Sequence, residues 1–157
     1  MKKIIDVFTG EVKTGDANNE LNSHAIGSCI VVTVFNPENC SGGMAHIMLP
    51  GRAPDKNDEK KTKYAYDGIV TLLSAMNLKA DEYDKLEICL IGGANVLKSE
   101  NDAICEKNIN SVFEILKTHN LNIKAKALGG TIYRTVRFDI ETGKIFVREG
   151  DTNEELL

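Results

Sequence analysis

Short apolar runs separated by polar, turn-forming segments dominate the chain, and two longer stretches carry apolar residues at helical spacing. The runs are four to ten residues long and rich in Ile and Val, which predicts strands at 2–8, 29–35, 43–49, 86–91, 124–128, 131–140 and 145–148. The two helical stretches, in which apolar positions recur three and four residues apart, are 63–78 and 103–119. Asp102 is the expected N-cap of the second helix.

This order of elements predicts a single α/β domain over 1–157, of α+β type, with largely antiparallel strands and two main helices. The polar stretch 11–22 is expected to be loop or irregular edge structure. About half of 50–62 is charged and it has no periodicity, so it is expected to form a mobile surface flap. The end of the chain, 150–157, is expected to be a loose tail.

The runs 29–35 and 43–49 flank turn-forming residues and predict a central β-hairpin, because both of its faces are apolar. If paired residue numbers sum to about 75, Cys29 lies opposite His46. Side chains directly opposed in antiparallel strands have Cβ atoms about 4.5–5.5 Å apart. A register one step away would make them diagonal neighbours, which still allows contact, whereas two steps would separate them.

A thiol beside an imidazole predicts nucleophilic catalysis, with Cys29 as nucleophile and His46 as acid and base. Gly27 and Ser28 leave the backbone accessible, so the Cys29 N–H is a candidate oxyanion donor and both small residues are candidate substrate contacts. A third polar group should orient the imidazole, and Ser23 is one candidate.

Spacing alone leaves other interpretations open. Cys29 and His46 are equally compatible with a small core thiol and a hydrogen-bonded core histidine. His24 is an alternative base if the chain bends back. Zinc binding by Cys29, Cys40 and His46 is disfavoured by the absence of paired ligand spacing, so no metal and no cofactor is expected. The Gly-Gly doublets at 42–43, 92–93 and 129–130 lack phosphate-loop motifs and predict tight turns or close backbone approaches.

Composition narrows the possible partners and compartment. The 157 residues have a net charge of −4 and no basic stripe, which argues against nucleic acid. The longest apolar run, 30–35, is far shorter than the roughly 20 residues of a membrane helix. The N-terminus has no secretory pattern, which predicts a cytoplasmic protein whose four cysteines are free thiols.

Two segments carry a resemblance to a known family. Gly-Ser-Cys at 27–29 and Gly-Met-Ala-His-Ile-Met-Leu-Pro at 43–50 resemble the signature segments of the chemoreceptor glutamine deamidases, the CheD family. The resemblance continues in order along nearly the whole chain, at 63–65, 91–94, Asn108, 129–130, Arg134 and 141–144.

The resemblance implies a three-layer α/β/β sandwich in which Cys29 is the nucleophile and His46 the base. The third catalytic position of the family is a threonine, and Ser23 occupies it here with the hydroxyl but without the methyl. The implied reaction is hydrolysis of glutamine side-chain amides on methyl-accepting chemotaxis receptors, without metal or cofactor. The resemblance also implies a different role, binding and stimulation of a CheC-type phosphatase or action as a receptor adaptor.

Overall fold

The computed structural model describes residues 1–100 and 103–157 and contains the expected mixture of strands and two main helices. The strands are β1 Lys3–Asp6, β2 Val12–Gly15, β3 Asn19–Ile26, β4 Ile30–Asn36, β5 Ser41–Ile47, β6 Glu87–Gly92, β7 Ile123–Leu128, β8 Arg134–Asp139, β9 Lys144–Glu149 and β10 Glu155–Leu156. The helices are α1 Ala65–Ala75 and α2 Ile104–Thr118, with short 3₁₀ helices at Lys61–Lys63 and Ala80–Lys85. The expected N-cap, Asp102, lies outside the described residues.

The strands form two five-stranded sheets. The outer sheet has the order β1-β3-β8-β9-β10, and the middle sheet has the order β2-β5-β4-β6-β7. β1 pairs parallel with β3 and β6 pairs parallel with β7, while the remaining described pairs are antiparallel. The α+β prediction with mostly antiparallel sheets and two main helices is therefore confirmed.

Two apolar clusters separate the molecule into three layers. In β4, Ile30, Val32 and Val34 pack in the cluster that contains the helix residues. The alternate residues Val31 and Phe35 pack in the cluster between the sheets. Because successive strand side chains point to opposite faces, one strand supplies both clusters, which explains why both faces of this run are apolar. β4 lies between β5 and β6, as expected for a central strand.

The hairpin between β4 and β5 forms, but with a different register from the one predicted. Asn36 pairs with Ser41 and Val31 pairs with His46, so paired numbers sum to 77. The prediction that Cys29 lies directly opposite His46 is wrong. Val31, two residues after Cys29, takes that place, so Cys29 and His46 are diagonal neighbours. The chain reverses later than predicted: Cys40 lies in the turn with a left-handed φ of 50°, directly before Ser41, the first paired residue of β5.

Two segments expected to lack regular structure contain strands. Residues 11–22 hold β2, an edge of the middle sheet, and the start of β3, which lies inside the outer sheet. Residues 150–157, expected to be a loose tail, contain β10, in which Leu156 pairs with Phe146. Long-range contacts order this last segment: Leu157 N–H donates to the Ile145 carbonyl at 2.9 Å, and Arg137 binds both carboxylate oxygens of Glu154.

Most residues of the segment 50–62 are exposed. Two hydrogen bonds anchor its first part to the helices. Ala53 N–H donates to Asp67 Oδ2 at 2.7 Å, and Gly51 N–H donates to Ser111 Oγ at 2.8 Å. No helix in the described ranges is long and apolar enough to cross a membrane.

Candidate active site

The loop 27–29 is held in place through three consecutive carbonyl groups. The Gly27 carbonyl accepts from Ala94 N–H at 2.9 Å, and the Cys29 carbonyl accepts from Gly93 N–H at 2.9 Å. Between them, the Ser28 carbonyl accepts from the Asn108 side-chain amide at 2.9 Å. The conformation of the loop is therefore set by the end of β6 and by α2.

Gly92 makes the close approach to this loop possible. Its φ is +126°, and a Cβ built there would lie 2.1 Å from the Cys29 carbonyl oxygen. Only glycine fits such a position. The buried Arg134 guanidinium supports the same turn by donating to the Gly92 and Gly129 carbonyls at 3.1 and 2.9 Å. The doublet 92–93 is thus a close backbone approach, as predicted.

Anchoring these carbonyls leaves two backbone donors free. In a trans peptide the C=O and the N–H of the next residue point in opposite directions. The Ser28 and Cys29 N–H groups therefore point away from Ala94 and Asn108. Among the described residues the Ser28 N–H has no acceptor, and the Cys29 N–H contacts its own thiol. Two adjacent N–H groups beside a thiol, neither used to hold the loop, are suited to binding an oxyanion.

His46 lies in β5 between the two sheets and is only 2% exposed. Its backbone is fixed by the segment leading into β2: Gly10 N–H donates to the His46 carbonyl, and His46 N–H donates to the Glu11 carbonyl. The imidazole Nδ1 is 2.8 Å from Ser23 Oγ, which belongs to the outer sheet. Nε2 is buried and has no hydrogen-bond partner among the described residues.

The hydrogen bonds of Ser23 determine the tautomer of His46. Ser23 Oγ is 2.7 Å from the Val7 carbonyl oxygen, which can only accept. The single hydroxyl proton must therefore go to Val7, so His46 Nδ1 must donate its proton to Ser23 Oγ. Nε2 then carries a lone pair, which is the state required of a general base.

Cys29 lies on the same face of the middle sheet as His46, diagonal to it. It is half-buried, packs against the cluster between the sheets, and comes two residues before Val31, the pairing partner of His46. Diagonal neighbours lie about 7–8 Å apart. No hydrogen bond joins the thiol to the imidazole within the described residues, and catalytic hydrogen bonds commonly tighten only when substrate binds.

Burial favours the neutral forms of both groups. Desolvation raises the pKa of the Cys29 thiol above its ordinary value and lowers the pKa of His46. The Val7 carbonyl and the Glu11 carboxylate raise the His46 pKa, but their effect is smaller than that of burial. At neutral pH both shifts favour a protonated thiol and a neutral imidazole in this pair.

The alternative groups considered from the sequence lie elsewhere. His24 follows Ser23 in β3, is exposed, and faces Asp6, with Nε2 and Oδ1 3.5 Å apart. Cys40 sits in the β4–β5 turn, at the opposite end of the hairpin from Cys29. The three residues weighed as zinc ligands therefore do not converge.

Sequence reasoning missed the roles of Asn108 and of the Val7 carbonyl. Asn108 carried a usable signal, because it shares the buried face of α2 with Cys105, Val112 and Leu116 and is the one polar amide there. A polar residue on an apolar helix face needs a specific partner. The Val7 carbonyl had no signal in the sequence, since every residue carries a backbone carbonyl.

Comparison with known proteins places the chain in one family. Residues 48–149 match the family model described as CheD, chemotactic sensory transduction. The probable chemoreceptor glutamine deamidase CheD of Chlorobium luteolum is 39% identical over 98% of this chain and 76% of its own length. The chemoreceptor glutamine deamidase CheD of Thermotoga maritima is 33% identical over 99% and 97%. The probable enzyme of Syntrophomonas wolfei is 29% identical over the full length of both chains.

The family match begins just after His46, whereas the relatives align over the candidate site as well. The matched segment covers well over half of the chain and includes α1, β6 and α2, the last two of which hold the loop bearing Cys29. The chain belongs to the CheD family.

Proposed function

We propose that this protein is a chemoreceptor glutamine deamidase that converts glutamine side chains of methyl-accepting chemotaxis receptors to glutamate and ammonia. The printed names of its relatives support the reaction and the substrate class. The observation that carries the proposal is the Ser23–His46 contact, because it leaves His46 Nε2 unprotonated and without a partner on the face that bears Cys29.

In the first half of the reaction, Cys29 Sγ attacks the carboxamide carbon while its proton passes to His46 Nε2. The carbonyl oxygen becomes an oxyanion and accepts hydrogen bonds from the Ser28 and Cys29 N–H groups. The C–N bond then breaks, and the imidazolium gives its proton to the departing nitrogen, which leaves as ammonia. The product is a thioester between Cys29 and the former glutamine.

In the second half, water replaces ammonia. His46 Nε2 takes a proton from the water as its oxygen attacks the thioester carbon, and the same N–H groups stabilise the second oxyanion. Collapse breaks the C–S bond, the proton returns to Sγ, and glutamate is released. Ser23 holds the Nδ1 proton throughout, so the imidazole shuttles protons only at Nε2.

A groove lies between the segment that leads into β2 and the flap, and we propose that it receives a helical substrate. Its volume is about 690 Å³, and the flap supplies part of its wall; the lining includes Thr9, Glu11, Met48, Glu59, Lys60 and Lys63. Phe8 and Met48 are exposed apolar side chains close to it. We propose that the flap 50–62 contacts the receptor and that the reaction occurs in the cytoplasm, where receptor signalling helices lie.

The decisive experiment incubates a receptor cytoplasmic fragment with the wild-type protein, Cys29→Ala or Cys40→Ala. Mass spectrometry follows the mass gain of glutamine-to-glutamate conversion at each site. Conversion is expected with wild type and with the matched control Cys40→Ala, whose thiol lies in the distant turn, and not with Cys29→Ala. Conversion that persists in Cys29→Ala, or none with any receptor, would contradict the proposal.

A second role, binding of a CheC-type phosphatase, is favoured by an apolar surface next to the catalytic loop. Val96, Leu97, Ile132 and Tyr133 are exposed on two loops joined by the Asn95–Gly130 backbone hydrogen bond. Binding measured with Cys29→Ala separates this role from catalysis, because contact through these side chains does not require the thiol. Unchanged phosphatase affinity in Leu97→Ser and Ile132→Ser would exclude this surface.

A further inference from the structure

Asn108 connects α2 to the chain just before β4 and just after β5. It is fully buried, and its Nδ2 donates to the Ser28 carbonyl at 2.9 Å and to the Met48 carbonyl at 3.1 Å. Ser28 immediately precedes Cys29, and Met48 follows His46 by two residues. One amide group therefore touches the chain on the nucleophile side and on the base side.

Both carbonyls lie just beyond the end of the β4–β5 ladder. The last paired residues at this end are Ile30 and Ile47. Past them, backbone pairing between the two strands no longer fixes the distance from one chain to the other. The Asn108 amide spans this gap, taking the place of the next ladder hydrogen bonds.

We infer that Asn108 is a positioning residue that holds the thiol and the imidazole in register, an inference that rests on the proposed function of Cys29 and His46. The Ser28 carbonyl and the Cys29 N–H belong to one peptide plane. By drawing that carbonyl toward α2, Asn108 turns the Cys29 N–H away from α2, toward the face between the sheets where His46 lies.

The chemistry of the contact requires an amide. Both partners are carbonyl oxygens, which only accept, and a side-chain NH₂ supplies two protons from one atom. Asn108 Oδ1, by contrast, is buried and has no partner among the described residues. A leucine of similar size would avoid that desolvation cost but would leave the Ser28 and Met48 carbonyls without this donor, so a loss of stability and a loss of positioning must be measured separately.

The test compares Asn108→Leu with Val112→Ala. Val112 is fully buried one turn later on the same face of α2 and does not contact the catalytic loop through a hydrogen bond. Deamidation of the receptor fragment is measured at a temperature where circular dichroism shows both variants folded. We expect kcat to fall about 100-fold in Asn108→Leu, the size of effect produced by about 1 Å of misplacement, with KM nearly unchanged. Val112→Ala should keep kcat within about threefold of wild type, because it loses packing without loss of positioning.

A second measurement does not depend on receptor turnover. Alkylation of Cys29 by iodoacetamide is followed by peptide mass from pH 5 to 9. In wild type and Val112→Ala, the alkylation rate should change at the pH where His46 gains or loses its proton. In Asn108→Leu the rate should show only the simple rise of an isolated thiol. A wild-type protein inactive on every receptor would refute the proposed function, and the alkylation profiles would still decide the role of Asn108.

Three results would overturn the inference. The first is a kcat of Asn108→Leu within about threefold of an active wild type. The second is superposition of the Asn108→Leu and wild-type alkylation profiles. The third is an equal loss of kcat in Val112→Ala, since that would show general loosening of α2.

Discussion

The hydroxyl of Ser23 joins the two sheets at the candidate site, and its removal should disable His46 while the fold persists. Ser23 is 1% exposed, donates to the Val7 carbonyl at 2.7 Å and accepts from His46 Nδ1 at 2.8 Å. The informative perturbation is the pair Ser23→Thr and Ser23→Val. The two replacements have the same shape and differ only in the hydroxyl.

The magnitude follows from what loss of the hydroxyl leaves behind. Ser23→Val orphans the Val7 carbonyl and the His46 Nδ1–H, at roughly 1–3 kcal/mol each, or about 2–6 kcal/mol together. For a chain of this size that lowers Tm by about 2–4 °C per kcal/mol. His46 can relieve part of the cost by moving its proton to Nε2, but it then ceases to be a base. Loss of general-base catalysis should reduce kcat about 10²–10⁴-fold.

The assay is glutamine conversion in a receptor fragment, combined with thermal unfolding of each variant. Ser23→Thr should retain kcat within a few-fold of wild type, since threonine supplies the same hydroxyl and favours a strand. Ser23→Val should lose kcat at temperatures well below its own Tm. If Ser23→Val unfolds earlier than wild type but turns over at a similar rate, Ser23 supports only the fold and the tautomer argument is wrong.

Three further predictions concern the loop, the imidazole and the thiol. Gly92→Ala should abolish turnover, because its Cβ would lie 2.1 Å from the Cys29 carbonyl oxygen; Gly129→Ala, with a φ of +81° and no atom within 4 Å, should lower only Tm and keep kcat. Burial lowers the pKa of His46 from its ordinary 6.5, so below that pH the unfolded chain binds more protons than the folded protein. The free energy of unfolding by urea should therefore fall from pH 7 to pH 5, and it should fall less in His46→Gln. Burial raises the pKa of Cys29, so its alkylation rate should keep rising above pH 8. At every pH the rate should exceed that of the more buried Cys89. Equal rates would refute the accessibility of the Cys29 thiol.

The central hairpin illustrates what the sequence reveals. Its strands are apolar on both faces and its turn is rich in Asn, Pro, Ser and Gly, so both strands and their antiparallel pairing are predictable. The register is not, because it depends on where the chain reverses, and the left-handed conformation of Cys40 moves that point. A positive φ at a residue other than glycine cannot be predicted from the residue type.

The polar strands β2 and β3 show a second limit. β2 and β3 are built largely from Lys, Thr, Asn, Glu and Ser, and only their positions beside β5 and β8 make them strands. Long-range pairing of this kind overrides local propensity. The candidate site shares this limitation. Cys29, His46 and Ser23 could be named from the sequence. The role of the Val7 carbonyl in selecting the tautomer of His46 is visible only in the folded structure.

The hydrogen bond between Ser23 and His46 crosses from one sheet to the other, so its survival depends on how the layers are stacked. A sliding motion between the sheets would break it while each sheet kept its own backbone ladder. Loosening the shared interior, for example at Met44 or Phe138, should then inactivate the protein below the temperature at which it unfolds. The interval between the inactivation and melting temperatures would measure the rigidity of the sandwich.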